Sequence, residues 1–416
     1  MVKMADLEFP ELIYSSSDPR GVILAGNAVF QRMTGYDWRQ LIGAPHRLIR
    51  HPAMPRGFFH IFWQLLKSGQ PAVGYVRNSR KQGDWYWVLA CAIPCEGGYF
   101  SVRFRPSSPL WTTIEAEYAR HLACEQAEGL TPEASAAILL ARLEELGFSS
   151  IEDFEARALS AEVRARNERL GRAPDGPAIA QADLLDQLRI LLAEQGRLVT
   201  RFAELVLLPA NMRLVAARLE PQGGPISQIA VNYRIAAEEI ARRLSGFVSG
   251  KGNICGAMAL AVRHSLILTT CAGLHAELIA RYDREDEVCE GIDRWTERKK
   301  LGDVMGECLS RARTALQDAG TLATSLNDAS VDLRRMILGL DTIRILARVE
   351  SRKSAENQAA LTATIDRIDV VQGAISESLR AMMERSLGIT SALSALRRGS
   401  LGEAAQGDKA VMLATG

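Results

Sequence analysis

Apolar and polar positions follow two different rules along this chain, and the change falls near residue 107. Before it, apolar residues come in short runs of β type: Leu12-Ile13-Tyr14, Val22-Ile23-Leu24, Val73 to Val76, Trp85 to Ala92 and Tyr99 to Phe104. Turn signals separate them, among them Ser17-Asp18-Pro19-Arg20-Gly21, Gln82-Gly83-Asp84 and Glu96-Gly97-Gly98. Between the second and third runs the period lengthens. Asn27 to Met33 and Trp38 to Ile42 predict short helices, and Gly57 to Ser68 predicts a longer one with Phe58, Phe62 and Leu65 on one face. Two strands, helices, then three strands joined by short turns predict an antiparallel sheet with flanking helices, an α+β domain.

From about residue 111 apolar residues recur at every third and fourth position. Leu184, Leu188, Leu191, Leu192, Leu198, Phe202 and Leu205 form one stripe; Ile229, Tyr233, Ala236, Ala237, Ile240 and Leu244 form another. Breaks are expected at Gly171 to Gly176, Pro221 to Pro225, Gly250 to Gly252 and near Gly388-Ile389-Thr390. The pattern predicts an all-α helical bundle or antiparallel coiled coil. Residues 1–110 are read as a sensor domain, 111–176 as a helical connector, 177–398 as a helical signalling bundle and 399–416 as a small, polar, flexible tail. Met212 to Glu220 and Ile343 to Glu350 echo each other, as amphipathic helices readily do.

Composition narrows the function classes. Lys plus Arg is 50 and Asp plus Glu 49, so the basic excess of a general nucleic-acid binder is missing. The seven cysteines include no CxxC pair and indicate neither a disulfide framework nor a zinc site. Met1 to Leu7 has no signal-peptide pattern, and Cys255 to Leu274, the best membrane candidate, carries Arg263 and His264 at its centre. It is read as a buried bundle helix, and the protein is expected in the cytoplasm without a membrane span. No Walker loop, GxGxxG, HExxH or GGDEF motif occurs, so no enzyme activity is expected.

Chemistry concentrates in Gly43-Ala44-Pro45-His46-Arg47-Leu48-Ile49-Arg50-His51-Pro52-Ala53-Met54-Pro55-Arg56. Its prolines forbid a regular helix. Its cations adjoin the aromatic residues Phe58, Phe59, Phe62 and Trp63. A flat apolar ligand with an anionic tail would suit such a segment: arginine pairs with phosphate and aromatic faces pack rings. A solvated basic loop beside an ordinary core helix is the alternative on composition alone.

Residues 9 to about 107 resemble the PAS domain of bacterial aerotaxis receptors. The resemblance rests on Asn27-Ala28-Val29-Phe30, Thr34-Gly35-Tyr36, Gly43-Ala44-Pro45-His46 and Arg50-His51-Pro52-Ala53-Met54-Pro55. Phe59, Trp63, Leu66 to Gly69, Val76 to Lys81, Gly83 to Trp87 and Arg103-Phe104-Arg105 follow in the same order. It implies noncovalent FAD and the sensing of redox or oxygen status. The contacts it implies are Asn27, Arg50, His51, Phe59, Trp63, Asn78 and Trp87. Asn27 and Asn78 would meet the ring edge, Arg50 and His51 the phosphate or ribose side, and Trp63 adenine or flavin. The family has an aspartate where this chain has Ala53.

Structural roles stand beside these: Phe59 and Trp63 as core, His51 as a turn cap, Asn27 as a helix N-cap. Two other readings stay open, an interaction scaffold with an empty or small-metabolite pocket and a haem sensor ligated by His46. Further along, Asn211, Ala216-Ala217-Arg218, Gly223-Gly224, Ile229-Ala230 and Arg234 resemble a chemoreceptor signalling tip, with Pro221, Pro225 and Val215 departing from it. That implies a homodimer and, as partners, a chemotaxis kinase or coupling protein.

Overall fold

The computed structural model describes residues 7–173, 176–219, 224–248, 253–282, 293–352 and 358–414. Five strands, β1 (Ile13–Ser17), β2 (Ile23–Gly26), β3 (Ala72–Ser79), β4 (Trp85–Cys95) and β5 (Gly98–Phe104), form one antiparallel sheet in the order β2-β1-β5-β4-β3. Between β2 and β3 lie α1 (Ala28–Thr34), α2 (Trp38–Leu41), a 3-10 turn at His46–Ile49 and α3 (Arg56–Lys67). The expected strand and helix order is therefore found. The strands run further than their apolar runs, β1 and β3 through polar residues: β1 continues through Ser15-Ser16-Ser17, β3 through Arg77-Asn78-Ser79, β2 to Gly26 and β4 to Cys95.

Register assigns the two faces of the sheet. Ser15 pairs with Ser101, Ile13 with Arg103, Gly74 with Ala90 and Asn78 with Tyr86. Side chains alternate along each strand, so Ser15, Ser17, Val76, Asn78, Ala90, Ala92, Ser101 and Arg103 share the face that α1 to α3 cover. A Cβ at Gly74 would lie 2.6 Å from Phe58, which shows how closely α3 approaches that face.

Three helices follow: α4 (Pro109–Glu128), α5 (Pro132–Glu145) and α6 (Ile151–Arg169). They pack onto the sheet domain rather than leading away from it. Trp87, on the opposite face of β4, meets Trp111 and Tyr118 of α4 at ring centroids of 6.0 and 6.3 Å. The Glu155 carboxyl accepts Val73 N at 2.7 Å, and Tyr75 donates its hydroxyl to Glu162 at 2.9 Å. Longer helices complete the chain: α7 (Gly176–Leu219), α8 (Pro225–Val248), α9 (Ile254–Tyr282), α10 (Arg294–Ser351) and α11 (Gln358–Ala414).

The chain divides into two compact units, Met1–Ala182 with Arg263–Thr314, and Asp183–Val262 with Ala315–Gly416. Within the first, Arg166 is 2% exposed and is held by the Glu277 carboxylate at 2.8 Å and by the carbonyls of Phe9 and Pro10 at 3.0 Å each. Tyr14 donates its hydroxyl to Glu297 at 2.5 Å.

The second unit is a helical bundle. Both predicted stripes lie in its core, from Leu184 to Leu205 on α7 and from Tyr233 to Leu244 on α8. Arg201 meets Ala374 O, while Glu204 meets Arg367; Ser386 meets Ala323 O, while Arg348 meets Asp366. Partners descend as α7 or α10 ascends, so α11 runs antiparallel to both.

The expected break near Gly388 is absent: α11 passes through it unbroken, because Ile389 and Leu393 continue the buried stripe and Ser386 and Thr390 bond within the helix period. The helix also takes in residues 399–414, which the sequence reading assigned to a flexible tail. The breaks expected at Gly250 to Gly252 and at 221–223 lie outside the described residues. Among the described residues one helix, Ile254–Arg281, is long and apolar enough to cross a membrane, and 56% of its apolar window is buried within the fold.

Candidate functional site

A cavity of about 260 Å³ opens between the sheet and α3. Its walls come from Ser15, Ser17, Val76, Asn78, Ala90, Ala92, Ser101 and Arg103 on the strands and from Phe59, Phe62, Trp63 and Leu66 on α3. The segment 45–50 closes one side, its backbone tied along strands. His46 N donates to Gly21 O at 2.8 Å, Arg50 forms a bridge to Asn78, and His51 N donates to Arg77 O at 3.3 Å. Because β3 is the edge strand, its free backbone groups are available for that pairing.

Four of the seven predicted residues converge on this cavity: Arg50, Phe59, Trp63 and Asn78. The Arg50 guanidinium stacks 3.7 Å over the Phe59 ring, and burial holds its pKa below the usual arginine value. Trp63 meets Tyr99 edge-on at 5.4 Å. Asn78 is 4% exposed, and its Nδ2, beside the Tyr86 hydroxyl, makes no well-formed hydrogen bond among the described residues.

The other three lie elsewhere. Asn27 Oδ1 accepts Tyr14 N and Phe30 N at 3.1 Å each, and Nδ2 donates to Leu12 O at 2.9 Å. Its amide is fully engaged as the N-cap of α1, which its position before Ala28 and its type both favour. The His51 ring accepts Ala53 N at Nδ1, 3.0 Å, and so caps a turn. Trp87 pairs in register with Arg77, one position from Asn78, and therefore points to the opposite face, where Nε1 donates to Glu115 at 3.0 Å. Ala53, the departure from the aspartate of the resembled family, is also outside the cavity lining.

Sequence reading assigned no role to Arg103, although a cation inside the apolar run Tyr99 to Phe104 and at the same parity as Ser101 is a signal. Arg103 is 5% exposed; its Nη2 reaches Ser15 Oγ at 3.0 Å and His46 Nε2 at 2.9 Å. Burial brings its pKa down to about 10, and burial with the Arg103 charge pushes His46 down to about 3. The imidazole is therefore neutral, and its Nε2 accepts.

A family profile described as PAS fold matches residues 23–98. Residues 23–98 are a PAS domain. Over 111 residues the chain is 40% identical to an aerotaxis receptor of Escherichia coli (strain K12), covering 26% of this chain and 22% of the relative. Over 82 residues it is 34% identical to a nitrogen fixation regulatory protein of Klebsiella oxytoca, covering 20% and 17%. The chain thus spans about a fifth of the length of these curated relatives. A solved PAS domain from Colwellia psychrerythraea aligns at 19% identity and a TM-score of 0.22, covering 23% of this chain and 85% of that one. The PAS domain here is a sensory domain related to those of the aerotaxis receptor and the nitrogen fixation regulator.

A larger cavity, about 440 Å³, lies outside the PAS sheet among α3, α4, α5 and α6. Phe58, Ile61, Leu65, Ile114, Ile138 and Phe154 make it mostly apolar. The buried Glu155 at its wall is pushed well above the usual carboxyl range by burial, and its carboxyl is tied to Val73 N. Among the described residues no cluster of three or more His, Cys, Asp or Glu is placed to hold a metal.

Proposed function

We propose that this chain is a sensory signal-transduction protein, not a catalyst, whose PAS domain holds FAD and reports redox or oxygen status through its helices. The observation that carries this is the convergence of Arg50, Phe59, Trp63 and an unpartnered Asn78 Nδ2 on one cavity. A buried amide N–H without a partner is costly, and a ligand carbonyl would satisfy it.

The cavity is at the small end for ligand sites, with room for one ring system rather than a whole dinucleotide. The ring would pack between Phe59 and Trp63, and the phosphates would lie outward, toward Arg47 and Arg50. Bound FAD supplies a redox-active ring whose edge charge changes with oxidation state. Haem is the weaker reading, because the His46 Nε2 lone pair is taken by Arg103 at 2.9 Å.

Strand alternation offers a relay. Neighbours of the cavity residues on the same strands point to the other face: Arg77 beside Asn78, and Tyr14 and Ser16 beside Ser15. Tyr14 and Ser16 bond Glu297 of α10, and Trp87 bonds Glu115 of α4. A change at the ring edge would bias two packings of those helices. The resemblance adds a second copy of the chain and a chemotaxis kinase or coupling protein as proposed partners, with action in the cytoplasm.

The test is the absorbance spectrum of the purified full chain before and after dithionite. Bands near roughly 375 and 450 nm that bleach on reduction are expected from a flavin. Protein absorbance alone, persisting after incubation with FAD, would overturn the flavin reading and favour a scaffold or a small metabolite.

A further inference from the structure

Two arginines are almost completely buried in the first compact unit, and they are treated differently. Arg166 has a carboxylate, Glu277, and two carbonyls. Arg103 has none among the described residues. Its hydrogen bonds are to the hydroxyl of Ser15 and the neutral imidazole of His46, its guanidinium lies 5.8 Å from the Phe30 ring centroid, and its Nη1 has no hydrogen-bond partner among the described residues. Withdrawing a guanidinium from water without an anion is strongly unfavourable. The same cavity holds a second orphaned donor, Asn78 Nδ2. Both donors line one cavity; the buried Tyr86 hydroxyl beside them is a neutral group, and no carboxylate among the described residues pairs with Arg103, so an acceptor bearing negative charge would satisfy them.

We propose that Arg103 is a specificity-determining residue: together with Asn78 it binds the acceptor edge of a planar ligand bearing full or partial negative charge. Resting on the flavin reading above, that edge is the pyrimidine side of the isoalloxazine, two carbonyls flanking ring nitrogens. A phosphate is the poorer match at this position. Arg103 is 5% exposed on β5, whereas Arg20, at 84% side-chain exposure, and the exposed Arg47 stand at the mouth. Phe59 and Trp63 line the cavity from α3, across from the strands that carry Asn78 and Arg103, so a ring held against them would present an edge to those strands.

The decisive experiment compares the full-length protein with Arg103→Met and Arg103→Lys. It measures thermal melting without ligand and affinity for both FAD and riboflavin. The assignment predicts opposite signs. Removing an uncompensated buried charge raises the melting temperature of the ligand-free Met variant, while Ser15 and His46, 3.2 Å apart, keep each other as partners. The Met variant binds FAD and riboflavin about 10- to 100-fold more weakly, by a similar factor for each, and Lys restores part of the loss.

Unchanged affinity in Arg103→Met overturns the assignment. So does a variant that both melts lower and binds weaker, since that is a structural arginine. Loss of FAD affinity with riboflavin unaffected moves Arg103 to the phosphates and also overturns it. If Arg103→Met does not fold, His46→Glu decides, because it offers the guanidinium a carboxylate: higher melting with weaker flavin binding supports the proposal, and unchanged binding sinks it. A wild type that takes up neither FAD nor riboflavin is a separate result. It removes the flavin reading itself and, with it, the flavin edge.

Discussion

The carboxylate of Glu125, on α4, accepts the backbone N–H of Gly57 at the first turn of α3. Oε1 lies 3.0 Å from Gly57 N and Oε2 3.0 Å from Arg56 N. The residue before the helix is Pro55, which has no capping side chain, so a residue 68 positions away does the work of a local cap. This ties α4 to the start of the helix that bears Phe59 and Trp63.

Glu125→Ala should therefore cost about 2 kcal/mol of stability, the usual scale for charged hydrogen bonds to buried backbone. Gly57→Ala tests the same joint sterically: its Cβ would sit 2.6 Å from Ala136 N on α5, backbone that cannot swing aside. A loss of about 1–3 kcal/mol is expected in urea unfolding. Wild-type stability in either variant would show that α3 does not depend on this contact.

Asn27 and Asn78 should separate cleanly. Asn27→Ala removes an N-cap and three hydrogen bonds and should cost about 1–2 kcal/mol, with flavin affinity falling only as the fold does. Asn78→Ala removes an amide whose Nδ2 makes no well-formed hydrogen bond among the described residues and whose neighbour is the neutral Tyr86 hydroxyl, so stability should fall less than in Asn27→Ala while flavin affinity drops about tenfold. The pair of melting curves and flavin titrations checks both; a stable, flavin-deficient Asn27→Ala would reverse the assignment.

Gly21 touches the cavity wall through Trp63. Its φ is +79°, and an added Cβ would lie 2.9 Å from the Trp63 ring. Gly21→Ala should cost about 1 kcal/mol for the backbone alone, and the displaced indole should weaken flavin binding. Trp63 fluorescence and a flavin titration would detect the change, and an unaltered pair of signals would count against Trp63 as a wall.

Acid stability should depend on Glu277. Burial works against its ionisation, but hydrogen bonds from Arg166 and Arg172 outweigh it and bring the carboxyl from 4.5 to about 2. A depressed carboxyl contributes stability fully above its unfolded value near 4.5 and loses it as pH falls through about 2. The contribution is on the order of 2–3 kcal/mol. Glu277→Gln should be less stable at neutral pH and show a flatter acid limb in pH-dependent melting; an unchanged limb would remove Glu277 from the account.

The sequence by itself determined the order of elements and the change from strand to helix grammar, because burial imposes periods of two and of three to four on apolar residues. It also located the cationic segment and the α3 aromatics, whose positions the local chain dictates. It missed the ends of β1 and β3 for a physical reason. Ser15, Ser17 and Asn78 are polar because they face a cavity, and a reading that follows apolar runs stops where such residues begin.

Which face each residue occupies was decided only by pairing. Trp87 and Asn78 sit in adjacent antiparallel strands, and the register that pairs Trp87 with Arg77 sends the indole to α4 and leaves the amide in the cavity. Arg103 shows the same limit. In sequence it is one cation in an apolar strand; its lack of a carboxylate among the described residues exists only in three dimensions, because counterions are recruited from distant segments, as Glu277 is for Arg166.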